Sequence, residues 1–142
     1  MAIRERIDAD IISAQKAADA ARLSVLRLML SEIKNKEIEK RGALTDEEVT
    51  EVLRREVKKR KDAVILFMKG GRTDLVEKDT ADITVIEAYL PALMSREDVA
   101  RVVNEVCASG ISDFPSVMRE AMKKLKGKAD GALVSEIIKS RM

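Results

Sequence analysis

The chain of 142 residues contains no histidine, no tryptophan and one cysteine, and its 27 Lys and Arg nearly balance 25 Asp and Glu. Without histidine the commonest general acid–base, the usual nucleophile triads and most zinc sites are excluded. Hydrophobic residues at 46% and charged residues at 37% describe a soluble globular protein long enough to bury a core, and no apolar run approaches the roughly 18–20 residues that span a bilayer.

Apolar positions recur every three to four residues almost throughout, and no convincing alternating strand is present. The expected fold class is therefore all-α and multihelical. Ile3, Ile7, Ile11, Ala14 and Ala18 form a first amphipathic face. Asp8 and Asp10 interrupt the segment where a secretory signal would stay apolar, so an intracellular, cytoplasmic address is expected. Leu23, Leu26, Leu30 and Ile33 continue the pattern to about Lys40. Gly42 is expected to take the left-handed conformation that ends this helix, and Thr45 with Glu48 reads as a capping box opening the next.

That third helix should run from about Asp46 to Lys69 and stop at Gly70-Gly71. A fourth carries Leu75, Val76, Ile83, Ile86 and Leu90 up to Pro91, which disfavours helical geometry in its predecessor. Beyond it the segments shorten. Ser95 caps a helix closed by Gly110, Asp113 and Pro115 open one closed by Gly127, and Asp130 caps the last. Two all-α subdomains follow: a four-helix part over 1–92 and three short helices over 93–142, joined at "LPALM". A heptad coiled coil fits the first part less well than an antiparallel bundle, because its loops are short and rich in glycine. Cys107 reads as a small buried hydrophobe that can form no internal disulfide, and the methionines as core filler.

Charge is unevenly spread. Residues 110–142 hold seven Lys and Arg against four acids, whereas residues 1–109 hold twenty against twenty-one. "RREVKKRK", residues 54–61, packs six bases and one acid into eight positions. Its apolar stripe runs through Val49, Val52, Leu53, Val57, Val64 and Phe67, which leaves Arg54, Arg55, Lys58, Lys59 and Lys61 mostly on the outer surface. Two accounts fit those bases: a solvated face, or a contact to a polyanion made through counterion release. Glu56 and Arg60, four apart at the border, read as a local ion pair of about 0.3–0.5 kcal/mol.

A second cluster holds Arg119, Lys123, Lys124, Lys126 and Lys128, with Glu120 the only acid among them. Lys126 and Lys128 flank Gly127, and the amides that open the following helix attract negative charge. Gly131 leaves those amides unobstructed. Against this, Asp130 would occupy them as a cap and repel a phosphate. "GKADG" lacks both the spacing of a phosphate loop and the strand before it. Asp74, Glu77, Asp79, Asp82 and Glu87 share one helix with interspersed bases and read as a solvated face rather than a metal site. No Ser or Thr has a partner base that would make it a nucleophile. No cofactor and no catalytic residue is nominated.

Two long stretches carry a resemblance. "LRLMLSEIKNKEIEKRGALTDEEVTEVLRREVKKRKDAVILFMKGGRTDLVEKDTADITVIEAYLP" is similar to the N-terminal body of the GatB/YqeY-like family of small bacterial proteins. "VMREAMKKLKGKADGALVSEII" resembles its C-terminal signature, a lysine, a glycine, a basic residue and Ala-Asp-Gly. The resemblance covers essentially the whole chain and implies two all-α subdomains. It also implies a relation to the helical tail of the B subunit of glutamine-dependent tRNA amidotransferase, which is thought to contact tRNA. By that analogy the basic knuckle faces a tRNA backbone, and the partners are tRNA, amidotransferase subunits or an aminoacyl-tRNA enzyme, with no membrane.

The large catalytic portion of that subunit is missing, so carbon–nitrogen ligase activity is inherited by similarity only. Three functions are carried forward: a non-catalytic tRNA-associated module, a protein–protein adaptor with no RNA role, and an enzyme transferring an amide.

Overall fold

The computed structural model describes residues 2–125 and 127–142, and among these it contains seven α-helices and no strand. In chain order they are α1 (Ile3–Lys16), α2 (Ala20–Lys40), α3 (Asp46–Lys69), α4 (Thr73–Glu87), α5 (Arg96–Ala108), α6 (Phe114–Leu125) and α7 (Gly131–Arg141). The all-α expectation holds. The chain divides between Leu90 and Pro91 into two compact units, α1–α4 and α5–α7.

In the first unit α3 packs along α4 and α1 along α2. Ile3 and Ile7 of α1, Val25, Leu26, Met29 and Ile33 of α2, Val49, Leu53 and Val57 of α3, and Ile83 and Ile86 of α4 form one core. These are the stripes that the three-to-four spacing marks out, and each large aliphatic side chain buried there contributes about 1.5–3 kcal/mol. Met29 is core, but Met68 and Met142 are largely exposed, so the methionines are not uniformly filler.

Three helix ends in this unit share one hydrogen-bond pattern. Past α1, Ala18 takes φ 55° while its N–H donates to the Gln15 carbonyl and the Asp19 N–H donates to that of Ala14. Past α2, Arg41 takes φ 62°, its N–H donating to Ile38 and that of Gly42 to Glu37. Past α3, Gly71 takes φ 71°, its N–H donating to Met68 and that of Arg72 to Phe67. Each is a Schellman closure of otherwise orphaned carbonyls. The residue ending α2 is thus Arg41, one position before the glycine expected to do so.

Helix starts follow the sequence more closely. The Glu48 N–H donates to Thr45 Oγ1 at 3.2 Å and the Thr45 N–H to Glu48 Oε1 at 3.1 Å, completing the capping box. Lys40 also bonds Glu48, and that contact, with the Thr45 N–H next, holds the Glu48 carboxyl below its ordinary pKa. Helix α4 ends at Glu87 instead of Leu90. Tyr89 and Leu90 leave it through tighter bonds to Ile86 and Glu87, each 3.0 Å, in the residues whose helical geometry Pro91 opposes.

The second unit closes on Val99, Val103 and Val106 of α5, Val117, Ala121 and Leu125 of α6, and Val134, Ile137 and Ile138 of α7, with Ala129 buried in the turn between the last two. Cys107 is half-buried beside this core. Ser95 and Asp130 accept N–H bonds as helix caps, from Asp98 at 3.2 Å and Ala132 at 3.0 Å, and Asp113 accepts one from Ser116 at 3.1 Å.

Candidate functional site

The turn between α6 and α7 is built almost entirely by its backbone. Gly127 takes φ 76°, a conformation costly for any other residue. The Lys128 and Ala129 N–H groups both donate to the Leu125 carbonyl, at 2.8 and 3.1 Å. The Lys128 carbonyl accepts from the Met94 N–H at 2.9 Å, which ties the segment before α5 to the turn. Ala129 is buried, and Asp130 then caps α7. Each of residues 127–130 therefore has a structural task.

Gly131 completes the set without being required sterically. A Cβ there would meet Met122 Cε at 4.0 Å, ordinary contact, so the glycine's bareness serves neither a positive φ nor a close approach. The Asp130 carboxylate already lies on the opening amides of α7. Of the two accounts of that helix start, the cap is the one the geometry displays. A phosphate held here would have to be held by lysines.

The lysines point outward. Lys123, Lys124 and Lys128 are exposed, as is Arg119. Lys123 pairs with Glu120 on the same helix at 3.0 Å, whereas Lys124 and Lys128 make no side-chain ion pair among the described residues. Arg119 lies near Asp113, whose carboxyl is held below its ordinary range mainly by Ser116 and only slightly by Arg119. Lys126, nominated from the sequence, lies outside the described residues.

The α3 bases are more committed than the helical wheel implies. Arg55 lies 3.6 Å from Glu51 and Lys61 lies 3.4 Å from Glu87. Arg54 is half-buried, and burial lowers its pKa while Glu87 opposes the shift. Lys58 and Lys59 remain exposed and outside any ion pair with a described residue. Arg55 also lines a cleft of about 330 Å³ with Lys36, Lys40, Glu39, Glu48 and Glu51, over Leu44 and Val52. Its three cations are each matched by one of its three carboxylates, so it offers no net field for a polyanion.

Two polar arrangements were not legible as such. Arg60 does pair with Glu56 at 3.0 Å, but it also reaches Asp79 at 3.3 Å and Asp82 at 2.7 Å across on α4, while Lys78 meets Asp82 at 3.1 Å. The Arg60 side chain is only 12% exposed and that of Asp82 9%. The acidic face of α4 is therefore partly an interior network and not wholly solvated. The signal was available: Asp82 lies four residues before Ile86 and beside Ile83, on the buried stripe. The second arrangement joins buried Tyr89 to Asp10, which also lies 3.7 Å from Arg22, while the Arg6 guanidinium sits 5.1 Å from the Tyr89 ring. No group of three or more potential ligands among the described residues could hold a metal ion, and no described helix is long and apolar enough to cross a membrane.

A four-helix unit followed by a three-helix unit defines the class: an all-α, multihelical protein. The chain belongs to the YqeY-like protein family, which it matches over residues 4–142. It is 36% identical over 124 residues to "Altered inheritance of mitochondria protein 41, mitochondrial" of Kluyveromyces lactis, covering 85% of this chain and 65% of that protein. The protein of the same name from Lachancea thermotolerans is 34% identical over 124 residues, covering 84% and 66%. That of Candida glabrata is 33% identical over 125 residues, covering 85% and 67%. The chain thus spans about two thirds of these relatives, just under that share for the first two. Their names overturn the expected cytoplasmic address, since all three are called mitochondrial, and as yeast proteins they give no support to a bacterial label.

Proposed function

We propose that the protein is a non-catalytic helical module that associates with tRNA through the basic corner between α6 and α7. The observation that carries this reading is the pair Lys124 and Lys128, exposed and without an ion-pair partner among the described residues, the first in the last turn of α6 and the second on the hydrogen-bonded turn that follows. Unpaired ammonium groups meet a phosphate without first breaking an ion pair, and their contacts carry no sequence information. Lys123 and Arg119 extend the same surface. Lys58 and Lys59 supply a separate, smaller set on α3.

The likeness of "KGKADG" to the tail of the amidotransferase B subunit supports tRNA as the polyanion. It also supports an amidotransferase subunit or an aminoacyl-tRNA enzyme as the accompanying protein. The ligase label is left out of this proposal, because it rests on similarity alone. Amide formation by the purified protein from glutamine and ATP would overturn the non-catalytic part of the reading.

The direct test is titration with unmodified tRNA at two salt concentrations. The wild-type protein is compared with the variant carrying Lys123→Ala, Lys124→Ala, Lys126→Ala and Lys128→Ala. Weakened, less salt-sensitive binding is expected; equal affinity would remove the corner from the account. A second reading, a protein adaptor without an RNA role, is favoured by the exposed Ile65, Leu66 and Met68 on α3. It requires a protein partner whose co-purification survives nuclease.

A further inference from the structure

The last two turns of α3 are apolar on both faces. Residues 63–68 read Ala-Val-Ile-Leu-Phe-Met, and one helix face cannot bury them all. Val64 packs against the core, but Ile65 and Leu66 are 53% and 67% exposed. On the outward face they are bracketed by Asp62 and Lys69, both exposed and in no ion pair with another described residue.

Positions 62, 65, 66 and 69 stand at i, i+3, i+4 and i+7, the spacing of one helical contact face. The order along it is acid, apolar, apolar, base. Turned end for end about the midpoint between 65 and 66, this pattern lies on itself with each acid opposite a base and each apolar side chain opposite an apolar one. We propose that this face is where two copies of the chain meet, their α3 helices antiparallel about a two-fold axis, with Ile65 against Leu66 at the centre and Asp62 opposite Lys69 on either side. Such self-complementarity is what an isologous contact requires.

Helix α3 ends at Lys69, so in this register Lys58, Lys59 and Lys61 have no helical position of the second copy opposite them. An anionic surface would attract Lys58, Lys59 and Lys69 but would be repelled by Asp62 at the centre of the patch. A second copy accounts for Asp62 and Lys69 together. The α3 contact from 62 to 69 is a single helix face extending roughly 10 Å at 1.5 Å per residue, short of a standard interface, so the dimer should be weak and form only at high protein concentration.

Sedimentation equilibrium of the full chain from about 10 µM to about 1 mM tests this. Wild-type protein should move from monomer to dimer across that range. Asp62→Lys alone and Lys69→Asp alone should each weaken association at least about fivefold, since each replaces two attractive pairs by two repulsive ones. An equimolar mixture of the two variants should recover the wild-type mass, because the heterodimer pairs every charge correctly. Leu66→Glu should be monomeric, and circular dichroism matching wild type would show that it folds. A wild-type chain that stays monomeric to 1 mM would overturn the proposal. So would single variants that associate as well as wild type, or a mixture that fails to recover.

Discussion

Tyr89 donates its phenolic hydrogen to the carboxylate of Asp10, seventy-nine positions earlier in the chain. The bond closes the first unit, fastening the last turn before Pro91 onto α1, while Arg22 and Arg6 neutralise and cover the pair. Burial, followed by the bond to Asp10, raises the Tyr89 pKa to about 12. A raised pKa on a group that is neutral when protonated means that folding favours the protonated form. The stabilisation is whole below the ordinary value of about 10 and is lost as pH rises from there through about 12. Tyr89→Phe should cost about 1.5–3 kcal/mol near neutrality, as expected for a bond to a charged acceptor. The deficit should shrink between pH 10 and 12, and urea unfolding of both proteins at pH 8, 10 and 11 measures it. A deficit that stays constant across that range would detach the shift from Tyr89.

Arg60 offers a stronger test of interior polarity. Its guanidinium serves Glu56, Asp79 and Asp82 at once, and only the exposed Lys78 shares the load at Asp82. Removing it by Arg60→Met should cost about 3–5 kcal/mol, because carboxylates in a half-dry site lose their principal counter-charge. Arg60→Lys should recover little of this, since one ammonium cannot present the planar fork that reaches two helices. Chemical denaturation of the three proteins decides. A loss below about 1 kcal/mol would mean that the cluster behaves as a surface ion pair.

How far the sequence could be read depended on whether the deciding contact was local. Thr45 with Glu48, Ser95, Asp113 and Asp130 were legible as helix openings because a cap and the amide it meets lie two or three residues apart. The pairing of Arg60 with Glu56 was visible for the same reason. Its reach to Asp79 and Asp82 was not, since that depends on how α3 lies along α4. The knuckle stands out by its lysines and glycines, yet the tie from Met94 to the Lys128 carbonyl joins two backbone groups with no side-chain signature. Lys61 looks free on a wheel of α3 because Glu87 comes from α4, whereas Glu51, four residues before Arg55, was as local as Glu56 is to Arg60 and was legible in the same way.

The end of α2 turns a difference of one residue into an experiment. If Gly42 were the left-handed residue, adding a methyl group would strain it. The structure gives that conformation to Arg41, and a Cβ at Gly42 would meet nothing within 4 Å. Gly42→Ala should therefore be neutral or stabilise by about 0.4–1 kcal/mol through the unfolded chain. Arg41→Gly should stabilise by about 0.5–1 kcal/mol, as relief of left-handed strain outweighs the added backbone freedom. Ala18→Gly should behave like Arg41→Gly, for its φ of 55° is the same kind of departure. Thermal unfolding of the three variants checks the signs. A destabilised Gly42→Ala would make the glycine, and not Arg41, the residue that ends the helix.

The tRNA reading makes a demand that total charge alone does not. Lys128 is displayed by a turn that depends on Gly127 at φ 76°, just past the helix that carries Lys124, and that glycine has no side chain to bring charge of its own. Gly127→Ala keeps every lysine but forces a side chain into the left-handed region, at a cost of about 1–2 kcal/mol or a displaced turn. Lys124→Ala with Lys128→Ala keeps the turn but removes the charge. If the corner meets phosphates, the double lysine variant should bind tRNA more weakly and show a flatter dependence of log affinity on log salt, by about 0.7–0.9 for each phosphate no longer neutralised. Gly127→Ala should weaken binding at every salt concentration while leaving more of that slope intact, because Lys128 is mispositioned and no cation is absent. Titrations of the three proteins across a salt series separate the effects. Should Gly127→Ala bind like wild type while the lysine variant does not, the turn would be a mere carrier of charge and its fixed geometry irrelevant to recognition.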